Sequence, residues 1–116
     1  MIRKINEGRS VLGGRLDSSC LGAFGHSPGG NAALDFCRTD DRCKAAVNLD
    51  GANWNDVGKL GMDGKPAMII AAEHLEYTMP CEALVKGGAF PSIEWCKAEK
   101  EILWNGWKKI RDTAKD

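Results

Sequence analysis

The chain has no surplus of either charge: sixteen Lys and Arg stand against sixteen Asp and Glu, a formal net charge of zero at pH 7. A nucleic-acid partner held by electrostatics needs a basic excess, so that class of function is excluded. The chain also lacks any apolar run of the roughly 18 residues that a bilayer demands. Met1-Ile2-Arg3-Lys4 lacks the apolar stretch of a secretory signal. No transmembrane segment is expected. Histidine is scarce, with two in 116 residues, and no His cluster accompanies the cysteines at zinc-ligand spacing. Internal repeats, low-complexity stretches and a Gly-rich phosphate loop are absent as well, so neither a metal nor a cofactor is expected.

Cysteine, by contrast, is plentiful at five. Cys37 and Cys43 flank the polar turn Arg38-Thr39-Asp40-Asp41-Arg42. They either staple the ends of that turn, which points to an oxidising, extracellular setting, or are two reduced thiols of a cytosolic protein. Cys81 and Cys96 bracket a loop containing Gly and Pro and form a second candidate pair, which leaves Cys20 odd.

The most informative segment is Gly25-His26-Ser27-Pro28-Gly29-Gly30, directly after the apolar run Leu21-Gly22-Ala23-Phe24. It reads as G-x-S-x-G, in which a strand ends in a sharp turn that lifts a serine hydroxyl above the sheet. Glycines flank the serine because strand and helix nearly touch there. Ser27 is the candidate nucleophile. The run before it suits a strand buried on both faces of a parallel sheet. The small residues after it, Gly29 to Leu34, suit a helix lying against strands and ending near Arg38 to Asp41. A second apolar run, Ala45 to Leu49, stops at Asp50-Gly51, which completes one βαβ unit. In open α/β sheets the reacting groups collect at the carboxyl ends of strands, and Ser27 and Asp50 both fall at such ends. Asp50 is either a second site residue or an ordinary Asp-Gly turn residue.

Gly25-His26-Ser27-x-Gly29-Gly30 followed by Val47-Asn48-Leu49-Asp50-Gly51 resembles the platelet-activating factor acetylhydrolase branch of the α/β-hydrolases. The resemblance runs from about Asp17 to Pro80, and more loosely through Trp104 to Trp107. It implies an α/β fold, here a partial α/β-hydrolase fold with a few-stranded parallel sheet and flanking helices, as a single partial domain over 1–116. It implies a serine ester hydrolase acting on a small-molecule carboxylic ester or acetyl-phospholipid. Ser27 would be the nucleophile and Asp50 the acid that orients a histidine.

Neither histidine suits that role well. His26 precedes the nucleophile, so the strand geometry that presents Ser27 aims its neighbour elsewhere. His74 follows the third apolar run, Ala67 to Ala72, whereas the family's base comes later in the chain. The base is therefore expected beyond Asp116, and the chain reads as the middle of a hydrolase. Glu73 and Glu76 stand where the larger hydrolase group keeps its acid, and are the alternatives to Asp50.

Two further residues are placed against the substrate. Trp54, in the loop Asn53 to Gly61, either walls an acyl pocket or is ordinary packing. Pro28 occupies the position whose backbone N–H normally faces the oxyanion, and proline has none. That defect, with the absent base, sets a non-catalytic pseudo-hydrolase, or a chain that pairs its exposed sheet edge with another copy, against the enzyme reading. Elsewhere, Met1 to Cys20 reads as an amphiphilic helix and a turn. From Ser92 onward Leu103, Trp107 and Ile110 mark a helix with a buried stripe.

Overall fold

The computed structural model describes residues 11–115. Three strands, β1 (Leu21–His26), β2 (Cys43–Leu49) and β3 (Ala67–Ile70), form one parallel sheet in the order β1-β2-β3. Helix α1 (Pro28–Thr39) joins β1 to β2, and the short α2 (Asp56–Leu60) lies between β2 and β3. Beyond β3 come α3 (Leu75–Thr78), α4 (Cys81–Lys86) and the long α5 (Ile93–Thr113). The fold is thus a few-stranded parallel sheet flanked by helices. No helix among the described residues is long and apolar enough to cross a membrane.

The helix ends follow from local chemistry. Pro28 opens α1, where its fixed φ is already helical and its missing N–H costs no intrahelical bond. At the other end Lys65 Nζ donates to the carbonyls of Cys37 (2.7 Å) and Asp40 (2.8 Å), groups that a helix terminus leaves without partners. Helix α5 starts at Ser92, whose Oγ accepts from the Trp95 N–H at 3.1 Å. Its far end is tied back by Thr113, whose Oγ1 accepts from Met62 N at 2.8 Å. Gly61 makes that contact possible: its φ is +85°, and a Cβ there would fall 2.0 Å from Thr113 Oγ1.

One core lies on the side of the sheet that carries α1. Leu34 and Cys37 of α1, Cys43 and Ala46 of β2, Val57 of α2, Met62 in the loop that follows it, and Ile110 of α5 are all buried there. A second, smaller cluster joins Cys81 and Leu84 of α4 to Cys96 of α5. Disulfides staple both. Cys37 and Cys43 are bridged with Cα atoms 4.9 Å apart, and Cys81 and Cys96 with Cα atoms 5.8 Å apart. Cys20 is free and exposed. Two such bonds support an extracellular or secreted setting, since reducing compartments do not keep them. Within the first staple Arg42 donates to Asp40 through Nε (2.9 Å), Nη2 (2.6 Å) and its backbone N–H (2.9 Å). These bonds, the side-chain ones foremost, hold the Asp40 carboxyl down to about 2.

Three expectations need correction. Of the stretch read as an amphiphilic helix and turn, residues 1–10 lie outside the described residues and 11–20 form turns without a helix. The loop after Asp50 contains α2, a helix too short for a periodic signal. And β1 is not buried on both faces: its burial alternates, with Phe24 78 % exposed.

Candidate active site

Ser27 stands between β1 and α1 with φ 55° and ψ −123°, a conformation that an L-residue adopts only under constraint. Three backbone bonds supply the constraint. Ser27 N donates to Leu49 O at 2.8 Å, and Ser27 O accepts from Gly30 N (2.9 Å) and Asn31 N (3.4 Å). The flanking glycines are steric requirements, though unequally so. A Cβ on Gly25 would lie 2.1 Å from Gly29 O, and one on Gly30 would lie 2.0 Å from Asn48 Oδ1. A Cβ on Gly29 would meet nothing within 4 Å.

Asp50 follows the neighbouring strand at the same sheet edge, also left-handed at φ 60°. Its N–H pairs with Ile70 O at 2.7 Å, so the turn is anchored on β3. The turn packs directly on the serine: a Cβ on Gly51 would lie 2.6 Å from Ser27 O and 2.4 Å from Asn31 Oδ1. Ser27 and Asp50 are thereby brought to adjacent strand ends.

A buried amide network holds this arrangement together. Asn48 Nδ2 donates to Asn53 Oδ1 (2.7 Å), Gly51 O (3.1 Å) and Asn31 Oδ1 (3.3 Å), while Asn48 Oδ1 accepts from Gly51 N at 2.7 Å. Asn31 Oδ1 also accepts from Asn53 N at 3.0 Å. Asn48 and Asn53 are 0 % and 1 % exposed; the bonds satisfy both polar atoms of the Asn48 amide and the Asn53 oxygen, while Asn53 Nδ2 is buried with no partner among the described residues. Sequence reasoning passed over all three. The signal was present in Asn48, a polar residue inside an apolar strand run.

The Asp50 carboxylate is engaged. Oδ1 accepts from the Ala72 N–H at 2.9 Å, and His74 Nε2 lies 2.8 Å from Oδ1 and 2.7 Å from Oδ2. His74 thus sits on the candidate acid, a placement the sequence reading had discounted. Its other nitrogen, Nδ1, faces Glu76 Oε1 at 3.8 Å, and its ring meets Tyr77 edge-on at 5.0 Å. Among the described residues no hydrogen bond reaches the Ser27 hydroxyl.

These contacts move protonation. The Asp50 carboxyl is held below its ordinary 3.8, first by the Ala72 N–H, then by the His74 hydrogen bond, with the charges of His74 and His26 adding a little and partial burial opposing. Burial, then the carboxylates of Asp50 and Glu76, push the Tyr77 hydroxyl up. A depressed carboxyl contributes stability that is present above its unfolded value and lost as pH falls through its folded value. Carboxyl-detected NMR titration should therefore find the Asp50 midpoint below the ordinary aspartate value. His74→Gln should raise it only in part, because the Ala72 N–H remains; a full return to the ordinary value would make His74 the dominant cause.

The remaining candidates divide: Pro28 adjoins the serine, and the others lie away from it. Pro28 is the first residue of α1, next to Ser27, and offers no N–H. Trp54 is 59 % exposed and lines a groove of about 890 Å³ with Gly58, Lys59, Ile102 and Lys109, a lining that includes none of Ser27, Asp50 and His74. Glu73 is exposed, and Glu76 contacts His74 rather than the serine.

A few-stranded parallel sheet flanked by helices is consistent with a partial fold of the α/β-hydrolase superfamily. Comparison with known proteins supports that fold. The chain is 33 % identical over 66 residues, 57 % of its length, to a bis(hydroxyethyl) terephthalate hydrolase of Streptomyces coelicolor. The chain spans 21 % of that protein's length. No family model matches the chain, and no solved structure matches it significantly.

Proposed function

We propose that this chain carries the nucleophile and acid of a serine ester hydrolase of the platelet-activating factor acetylhydrolase type. Ser27 attacks the ester carbonyl; an imidazole takes its proton and returns it to the leaving alcohol; water then releases the acyl group from Ser27. Asp50 fixes the imidazole's tautomer and balances its charge. The observation that carries this reading is the left-handed Ser27 packed on the Asp50-Gly51 turn at adjacent strand ends. An acid on the strand next to the nucleophile's is what separates the acetylhydrolase type from hydrolases with a later acid. The Streptomyces relative, named for hydrolysis of a terephthalate ester, supports an ester as the substrate class.

A second reading, a non-catalytic pseudo-hydrolase, is favoured by His74 and Pro28. A triad imidazole turns one nitrogen to the acid and the other to the serine, whereas His74 turns Nε2 to Asp50 and Nδ1 to Glu76. As placed, His74 is a partner of Asp50 and not the base of Ser27. The chain alone is therefore expected to turn over no p-nitrophenyl acetate beyond its Ser27→Ala variant. Free imidazole separates the readings by supplying the missing base. In its presence, intact-mass spectrometry should find one acetyl group on Ser27, absent in Ser27→Ala and reduced in Asp50→Asn. A protein that acquires no Ser27-dependent acetyl group is a pseudo-hydrolase.

A further inference from the structure

The Asp50 carboxylate takes the Ala72 N–H on Oδ1 and His74 Nε2 across both oxygens, at 2.8 and 2.7 Å. Both donors come from the chain after β3. Because β2 lies between β1 and β3, they approach the acid from the side away from the strand that leads into Ser27. A serine's base needs that same carboxylate: it gives one N–H to the acid and keeps its second nitrogen for the hydroxyl, so its ring must stand against the acid. Here a ring already stands there. Only 21 % of the Asp50 side chain is exposed, which leaves little room for a second. The ring in place is also backed, since Tyr77 meets it edge-on at 5.0 Å and Trp107 of α5 meets Tyr77 edge-on at 5.4 Å. Its departure is provided for as well. His74 Nδ1 faces Glu76 Oε1 at 3.8 Å, so a ring that leaves Asp50 keeps a carboxylate neighbour.

We propose that His74 is a plug: it occupies, on Asp50, the seat that the base of Ser27 must take, and the site accepts a base only when His74 leaves it. The seat so opened takes a neutral imidazole, a flat ring with one N–H for the carboxylate and one free nitrogen for the serine. Asp50 therefore has two competing partners, and the population of the open state sets how much base the site binds. His74 acts through Asp50 and touches no reacting atom, so its role is positional. The catalytic consequence rests on the hydrolase reading, but occupancy of the seat is measurable without the serine.

Two titrations with free imidazole test it. In the first, the Asp50 carboxyl carbon of the Ser27→Ala chain is followed by NMR, with His74 intact and with His74→Ser, a small side chain that suits the residue before a helix. Removing the ring should tighten imidazole binding at Asp50 by at least about tenfold, the worth of one competing hydrogen bond to a charged acceptor. His74→Ala is the second variant and should agree, with circular dichroism as the check that each chain is folded. In the second titration, acetylation of Ser27 by p-nitrophenyl acetate is followed against imidazole concentration. His74→Ser should lower the half-saturating imidazole by about the same tenfold factor, with a much smaller change in the rate at saturation. A merely structural role would move the rate at saturation and leave the midpoint. Equal imidazole affinity with and without the His74 ring in the first titration overturns the proposal, whatever the second shows. Acetylation whose midpoint ignores His74 overturns it too, because the base then reaches Ser27 without needing the seat. Tighter binding at Asp50 with no Ser27-dependent acetyl group in any chain upholds the plug and removes the hydrolase reading instead.

Discussion

Replacing Pro28 by Phe is expected to raise imidazole-assisted acetylation of Ser27 on the order of 10²-fold. The residue after an elbow serine sits at the first position of the helix, where its N–H points to the place the oxyanion will occupy. Pro28 holds that position without an N–H. Removing one oxyanion donor from a working enzyme costs about 10²- to 10³-fold, and restoring one recovers a comparable factor if the rest of the site is aligned. Because free imidazole serves as base on both sides of the comparison, differences in His74 cancel. Pro28→Ala is the control: it too restores the N–H, so it should match Phe, and a gain with Phe alone would mean that the ring packs against substrate. Stability should change little, since the first helical N–H has no intrahelical partner to lose or gain. No gain with either residue, alongside measurable acetylation of the parent chain, would mean that the oxyanion lies elsewhere.

The parts of this molecule that rest on short-range constraint were legible from its residues. The run Leu21 to Phe24, the glycines around Ser27 and the apolar run before Asp50 each report a local geometry, and strand, helix and strand appear where those signals place them. Features set by register were not legible. Asn48 is an inward residue only because Gly25 and Ile69 are its neighbours across the sheet, and nothing in Val47-Asn48-Leu49 alone says which face is inward. The same holds for the direction of Phe24. Leu21-Gly22-Ala23-Phe24 reads as uniformly apolar, yet its small residue Ala23 faces the core and its large Phe24 faces out.

His74 shows a different limit. It comes after β3 has ended, in a stretch with no periodicity to fix its direction, and its position on Asp50 depends on that strand lying beside β2. The resembled family's chain order therefore argued against His74, while the sheet order brought it to Asp50. The ends of β1 and β2, where Ser27 and Asp50 follow, are adjacent, as one βαβ unit requires. Family resemblance carried no information about which nitrogen of His74 would meet the carboxylate, and that detail is what weighs against His74 as the base.

Gly25→Ala is expected to destabilise the fold by at least about 3 kcal/mol, whereas Gly29→Ala should change stability by less than about 0.5 kcal/mol. The motif treats the two glycines as equivalent, but their surroundings are opposite. A Cβ on Gly25 would lie 2.1 Å from Gly29 O, 2.3 Å from Gly29 C and 2.9 Å from Gly30 N, all backbone of the first turn of α1. No rotamer relieves such a contact. Strand β1 and α1 must separate, which breaks the packing of Leu34 and Cys37 against Ala46 and loosens the bonds that hold Ser27 in its left-handed conformation. Around Gly29 a methyl meets nothing within 4 Å, and alanine is the better helix former. The small entropic gain offsets any loss there. Urea denaturation of both variants, with equal m-values as the check on two-state behaviour, gives the comparison directly. Equal losses would show that Gly29 is needed for a reason other than space, and equal tolerance would mean that strand and helix are not in contact at the serine at all.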